Sequence, residues 1–85
     1  MRSFDPVSLR LFVAVCEEGN IAAAAQREAI APSAISKRLA QMESEAGVRL
    51  FERGRRGVTV TAAGEALWRY ARESLRCRLS EWRDG

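Results

Sequence analysis

Short hydroxyl and cationic side chains lie close together in the middle of the chain, directly after Pro32. They are Ser33, Ser36, Lys37 and Arg38. Proline is well accommodated in the first turn of a helix, so Pro32 predicts that a helix begins here. Hydroxyls and cations near a helix N-terminus suit phosphate oxygens and base edges. We therefore select five candidate contacts for nucleic acid: Pro32, Ser33, Ser36, Lys37 and Arg38.

A second group of cations lies in the polar stretch 52–57, between the apolar runs 48–51 and 58–60. Two glycines in a short polar stretch between strand-like runs predict a hairpin. Its tip carries Arg53, Arg55 and Arg56. Arginine side chains can enter a minor groove, most readily a narrow A·T-rich one. The alternative is a turn that only improves solubility, and three arginines beside one glutamate count against it.

The helices that would position these side chains are indicated by apolar residues at helical spacing. Before Pro32, Asn20 is a good cap for a short helix. The residues that share its inner face are Ile21, Ala24 and Ala25. The inward stripe of the helix after Pro32 consists of Ile35, Leu39 and Met42. Two short helices joined by a tight turn have the form of a helix-turn-helix, whose second helix enters a major groove.

Two further helices complete the predicted architecture. Asp5 and Pro6 predict the start of a first helix, which serves as scaffold. Its apolar stripe contains Leu9, Phe12, Val13 and Cys16. Thr61 should cap a long last helix over residues 62–82, in which Gly64 indicates close approach to another backbone. Its apolar residues cover two faces, of which the first, with Leu67, Tyr70, Ala71 and Leu75, can pack on the domain.

The second apolar face of the last helix is close to a heptad seam, formed by Trp68, Leu75, Leu79 and Trp82. A small monomeric domain has little left to cover such a face, so we expect a homodimer. The alternative is that the two tryptophans are partly exposed single residues.

Composition limits the remaining choices. The chain has 85 residues, 47% hydrophobic residues and a net charge of +3, which predicts one small globular domain. Cations are concentrated in two parts: six against three acids in residues 37–56, and five against two in residues 69–83. Two cysteines without metal spacing, and no histidine, give no sign of a metal site or disulfide framework. No apolar run is long enough to span a membrane, and without a targeting signal we expect the cytoplasm.

The ordered series of motifs resembles the N-terminal DNA-binding domain of LysR-type transcriptional regulators over residues 9–75. The matching segments are Leu11-Phe12-Val13-Ala14-Val15, Glu17-Glu18-Gly19, Ala24-Ala25, Ser33-Ala34-Ile35-Ser36, Met42-Glu43, Gly47-Val48-Arg49-Leu50-Phe51-Glu52-Arg53 and Thr61-Ala62-Ala63-Gly64-Glu65. The resemblance implies a mainly α winged helix-turn-helix, with a three-helix core and a two-stranded wing, followed by a long linker helix. It also implies sequence-specific binding of double-stranded DNA.

Two departures from the family pattern stand out. Ala31 and Pro32 occupy positions where the family usually has serine and glutamine, and Ser33 replaces a proline. The glutamine reads bases in the family, so readout at Pro32 must differ. Glu28 replaces a usual leucine on the apolar face, so either this face is narrower or Glu28 reaches solvent at its edge.

The resemblance implies further organisation. Residues 1–60 would form the DNA-binding domain and residues 61–85 the linker helix, which pairs antiparallel with that of a second copy. Full-length members usually form tetramers and carry a C-terminal domain that senses a small-molecule effector. Because the chain ends just past the linker helix, we expect a fragment of a longer protein with no cofactor of its own.

Two other classes of function are weighed. A winged helix used only for protein interaction is the main alternative, but it has no need for arginines at 53, 55 and 56 beside Ser33, Ser36 and Lys37. An enzyme is disfavoured because the sequence has no histidine, no carboxylate pair with a nucleophile and no phosphate-binding glycine loop that opens a helix.

Overall fold

Four helices and one hairpin make up the domain. The computed structural model describes the backbone of residues 5–55 and 57–84, with side chains as far as Ser74. The elements in order are α1 (Pro6–Glu18), α2 (Ile21–Glu28), α3 (Pro32–Ala46), β1 (Phe51–Gly54), β2 (Gly57–Val60) and α4 (Ala62–Asp84). The predicted winged helix-turn-helix with a long final helix is confirmed.

The predicted helix starts are set by side-chain caps. Asp5 accepts a hydrogen bond from the backbone N–H of Ser8 at 2.7 Å, and Asn20 accepts from that of Ala23 at 2.7 Å. Thr61 caps α4 by accepting from Gly64 N–H at 3.0 Å. Each cap satisfies a donor that the first helical turn leaves without a partner. α3 differs, because Ala31 has no capping side chain and Pro32 starts the helix by its fixed φ.

The turn between α2 and α3 is tight because Ala29 adopts a left-handed conformation, with φ 57°. Ile30 then donates its N–H to the carbonyl oxygen of Ala25 at 3.0 Å. A left-handed alanine costs about 1–2 kcal/mol, and the hydrogen bonds of Ala29 and Ile30 to the last turn of α2 accompany this conformation. After the turn α3 packs against α2, whose small residues Ala24 and Ala25 are both buried.

One hydrophobic core lies between α1, α3, the base of the wing and the first half of α4. Phe12 and Phe51 contact each other in this core, with ring centroids 5.0 Å apart and ring planes tilted by 45°. The residues whose mutual burial we predicted are all at most 4% exposed: Phe12, Ile35, Leu39, Leu50 and Phe51. Leu67 and Ala71 bring α4 into the same cluster.

The wing is an antiparallel pair of strands in which Phe51 pairs with Val60 and Gly54 with Gly57. The first strand therefore begins at Phe51 rather than at Val48, and it includes Arg53. The predicted strand at 48–51 is wrong because Glu43, at the end of α3, accepts from Leu50 N–H at 2.8 Å and Phe51 N–H at 3.2 Å. These bonds hold the chain against α3 before the ladder starts.

One other expectation needs correction: Tyr70 does not pack on the domain, since it is 53% exposed. Of the two alternatives for Glu28, a place at the solvent edge is not observed, because only 8% of its side chain is exposed. The expected close approach at Gly64 is confirmed: a Cβ there would collide with the carbonyl oxygen of Leu50 and with Val60. Within the described part of the chain, no helix has the length and apolarity needed to cross a membrane.

Candidate nucleic-acid interface

The outward face of α3 is the first part of the site. Pro32, Ser33 and Lys37 are exposed, whereas Ser36 is half-buried at one flank. Ile35, Leu39 and Met42 are at most 3% exposed and fix the rotation of the helix. The outward face of the helix thus presents the hydroxyl of Ser33 and the ammonium group of Lys37 one turn apart. These groups can donate to phosphate oxygens and to the acceptors on base edges.

Arg38 lies on the other flank of α3 and has partners within the protein. Its Nη1 is 3.2 Å from Ser8 Oγ and 3.5 Å from Asp5 Oδ2, so it joins α3 to the start of α1. Hydrogen bonds from Ser8, with a smaller contribution from the charge of Arg38, lower the pKa of Asp5 below its usual value. The side chain of Arg38 is 42% exposed, so it can give a phosphate contact only from this flank.

The groove beside Arg38 has a volume of about 510 Å³. Its charged lining is mixed, with Lys37 and Arg38 facing Asp5 and Glu45. Two carboxylates repel phosphate, so this groove does not extend the anion-binding surface. Among the described residues, no group of three or more histidine, cysteine, aspartate or glutamate side chains could hold a metal ion.

The wing is the second part of the site. Arg53 and Arg55 are exposed, and Arg53 pairs across the hairpin with Val58. The loop between Gly54 and Gly57 contains only two residues, so the arginines stand at the end of a short, stiff ribbon. Arg56, also predicted to contact DNA, lies outside the described residues.

Acidic side chains surround Arg27 at the end of α2. Arg27 Nη1 lies 2.7 Å from Glu17 Oε1 and 3.2 Å from Glu18 Oε2. Hydrogen bonds, first that with Glu17, raise the pKa of Arg27. This arginine is thus neutralised by its neighbours, whereas Lys37, Arg53 and Arg55 have no ion-pair partner within the described part of the protein. Lys37 on α3 and Arg53 and Arg55 on the wing are therefore available to a polyanion.

Of the four residues predicted to form a dimer seam, only Trp68 has a described side chain. It is half-buried against the domain's own core, and the guanidinium carbon of Arg72 lies 5.8 Å from its ring centroid. Its indole Nε1 is buried and has no hydrogen-bond partner among the described residues. Leu75, Leu79 and Trp82 lie on α4 beyond the described side chains.

Two features beside the candidate interface were not predicted from the sequence. Gln41 is exposed on α3, one helical turn after Lys37, and lines the mixed-charge groove that borders the candidate contacts. The spacing of four residues was the available signal. The contact of Gly57 with Gly19, considered below, had no signal in the sequence because it joins segments that are far apart in the chain.

Comparison with known sequences decides the family. The family described as "Bacterial regulatory helix-turn-helix protein, lysR family" matches residues 7–65. The chain belongs to this LysR family. Among its curated relatives, the HTH-type transcriptional regulator ClcR of Pseudomonas putida is 49% identical over 67 residues, which are 79% of this chain and 23% of ClcR. The chain therefore spans about a quarter of the length of such relatives.

Solved LysR-family structures share the fold. The DNA-binding domain in a CbnR–DNA complex matches 95% of this chain and 93% of its own length, with 36% identity and a TM-score of 0.89. That of BenM, in complex with benA site 1 DNA, covers 92% of this chain and 91% of its own length, with 35% identity and a TM-score of 0.87. The matched region in both includes the wing and the start of the linker helix.

Proposed function

We propose that this chain binds double-stranded DNA sequence-specifically, as the DNA-binding module of a LysR-type transcriptional regulator. α3 would enter the major groove while the arginines of the wing lie at the minor groove. The observation that carries this proposal is the placement of unpaired cations. Lys37 on α3 and Arg53 and Arg55 on the wing are exposed and have no ion-pair partner among the described residues, while Arg27 on α2 is paired with Glu17 and Glu18. A protein-interaction module would leave this division of charge without a role.

The proposed roles of the residues follow from their chemistry. Lys37 suits a guanine, which offers two acceptors in the major groove, and Ser33 and Ser36 suit base edges or phosphates. Pro32 can add only apolar contact, since it has no N–H. Arg38 would reach a phosphate from its flank, and Arg56 would act with the other arginines of the wing.

We further propose that the chain acts as a homodimer on a near-palindromic operator, with residues 1–60 as the DNA-binding domain and residues 61–85 as the pairing helix. A 23-residue helix is about 34 Å long. Its first half already packs into the core through Leu67 and Ala71, so its second half must find another surface. Two-fold pairing would set two recognition helices on successive major grooves.

A regulator of this class works on the chromosome, so we expect it in the cytoplasm.

Selection of DNA from a random duplex library tests the function. We expect enrichment of a site with two related halves, followed by protection of guanine N7 from dimethyl sulfate in the major groove of each half. A scrambled duplex of the same composition is the control and should bind weakly and without a footprint. Equal binding to every duplex at every round would contradict sequence-specific recognition.

A further inference from the structure

Among the described residues, one backbone hydrogen bond joins the wing to the turn between α1 and α2. The N–H of Val58 donates to the carbonyl oxygen of Gly19 at 3.1 Å. Opposite residues in an antiparallel hairpin alternate between hydrogen-bonded and non-hydrogen-bonded pairs. Because Val58 uses its N–H towards Gly19, its pair with Arg53 is of the second kind. The residue that faces Arg53 across the hairpin is therefore the one held by the helix-turn-helix.

Gly57, the residue before Val58, has no room for a side chain. Its φ is +122°, and a Cβ would collide with the carbonyl oxygen of Gly19 and lie 3.3 Å from the Cβ of Asn20. Gly54, its partner across the hairpin, is different: a Cβ there would meet nothing within 4 Å. The same hairpin thus contains one glycine in contact with the helix-turn-helix and one in open space.

Gly19 and Asn20, which face Gly57, also form the end of α1 and the start of α2. Gly19 ends α1 in a left-handed conformation, with its N–H donating to the carbonyl oxygen of Val15 at 2.9 Å. Asn20 follows and caps α2 through its side chain. One dipeptide therefore ends α1, begins α2 and holds the wing. A displacement of the wing base would have to move this turn as well.

We propose that Gly57 is a positioning residue for DNA binding, because its contact with Gly19 fixes the wing relative to the helix-turn-helix. Arg53 then meets a minor groove at the same time as α3 meets the adjacent major groove. A wing held in place before binding loses less conformational freedom on contact, so more of the arginine's interaction appears as affinity. This inference rests on the proposed function.

The substitutions Gly57→Ala and Gly54→Ala form a matched pair for the test. Binding of each variant to the selected duplex is measured against salt concentration, together with hydroxyl-radical protection of the minor-groove sugars. A plot of log K against log salt has a negative slope. For Gly57→Ala we expect the magnitude of this slope to decrease by about 0.9 for each phosphate that the wing no longer neutralises. Protection at the wing should disappear while guanine protection by α3 remains. Gly54→Ala should match the parent.

A second variant covers the case in which Gly57→Ala does not fold. Replacing the amide at Val58 by an ester, with the corresponding α-hydroxy acid, deletes the N–H donor and adds no atom. It should reproduce the loss of wing protection with helical content intact by circular dichroism. The inference would be overturned if both variants kept the salt slope and the wing protection of the parent. It would also be overturned if a variant with intact helical content lost the wing and α3 footprints equally. Failure of the parent chain itself to protect any duplex would overturn the proposed function instead.

Discussion

Glu28 and Arg10 form an ion pair between α2 and α1, with Arg10 Nε 2.8 Å from Glu28 Oε1. The side chain of Glu28 is only 8% exposed and that of Arg10 is 71% exposed. Arg27 Nε lies 3.4 Å from the second carboxylate oxygen. Glu28 stands where the family usually has leucine. Its carboxylate is therefore paired with two arginines and is shielded from solvent.

This pairing gives opposite predictions for its two members. Arg10→Ala leaves a covered carboxylate with one partner fewer, so we expect a loss of about 1–2 kcal/mol in the free energy of unfolding. Glu28→Leu removes the covered charge and leaves two arginines that can reach water, so it should be neutral or stabilising. Urea unfolding measures both. In the double variant the cost of Arg10→Ala should vanish, and a persistent loss would show that the arginine stabilises by packing alone.

Base recognition is predicted to depend on Lys37 and Ser36. If each meets a base edge, Lys37→Ala and Ser36→Ala should weaken binding to the selected duplex by about 1–3 kcal/mol. Titrations on selected and scrambled duplexes separate base reading from phosphate contact, because only the former loses the preference for the selected site. Arg69→Ala, an exposed cation on α4, is the control and should leave that preference unchanged. Equal losses on both duplexes would assign Lys37 to a phosphate.

The wing is predicted to contribute to the salt dependence of binding. Replacing Arg53, Arg55 and Arg56 together by alanine should weaken the salt dependence. The magnitude of the slope of log K against log salt should decrease by about 0.9 for each phosphate that these arginines neutralise. Affinity titrations at several salt concentrations give the slope directly. A slope equal to that of the parent protein would mean that the wing does not touch DNA.

Self-association is predicted to depend on the second half of α4. Its seam residues, Leu79 and Trp82, are assigned from sequence spacing alone. Sedimentation equilibrium should show a parent dimer and a monomeric Leu79→Asp, Trp82→Ala variant. Arg72, Arg76 and Arg78 interrupt the seam, so the dimer should dissociate on dilution. A parent chain that stays monomeric at high concentration, and binds half-sites as well as full palindromes, would rule out the proposed pairing.

Cys16 is predicted to be unreactive despite its free thiol. Burial, with a smaller contribution from the charge of Glu17, raises its pKa to about 12. Since the thiolate is the nucleophile, only about one molecule in ten thousand is reactive at pH 8. In a Cys77→Ser variant, iodoacetamide labelling should therefore be slow in the folded protein. It should increase as the pH approaches 12 and become rapid in denaturant. Fast labelling of the folded variant at pH 8 would contradict the burial.

Much of the fold was predictable because the decisive signals are local. Asp5, Asn20 and Thr61 cap helices through bonds to residues three positions later, and Pro32 starts α3 by its own ring geometry. The inward stripe of α3 follows from helical spacing, which leaves Ser33 and Lys37 outside. The candidate contacts on α3 and the wing could therefore be chosen from residue type and spacing.

The tertiary structure determined those features that depend on contacts between residues far apart in the chain. Glu43 sets the start of β1 through the N–H groups of Leu50 and Phe51, and the arginines around Glu28 allow a carboxylate on an apolar face. The left-handed conformation of Ala29 has no sequence signal. The placement of the wing against Gly19 likewise arises only when residues far apart in sequence meet. The sequence by itself determined which side chains could contact DNA, whereas contacts between distant segments determined how those side chains are held.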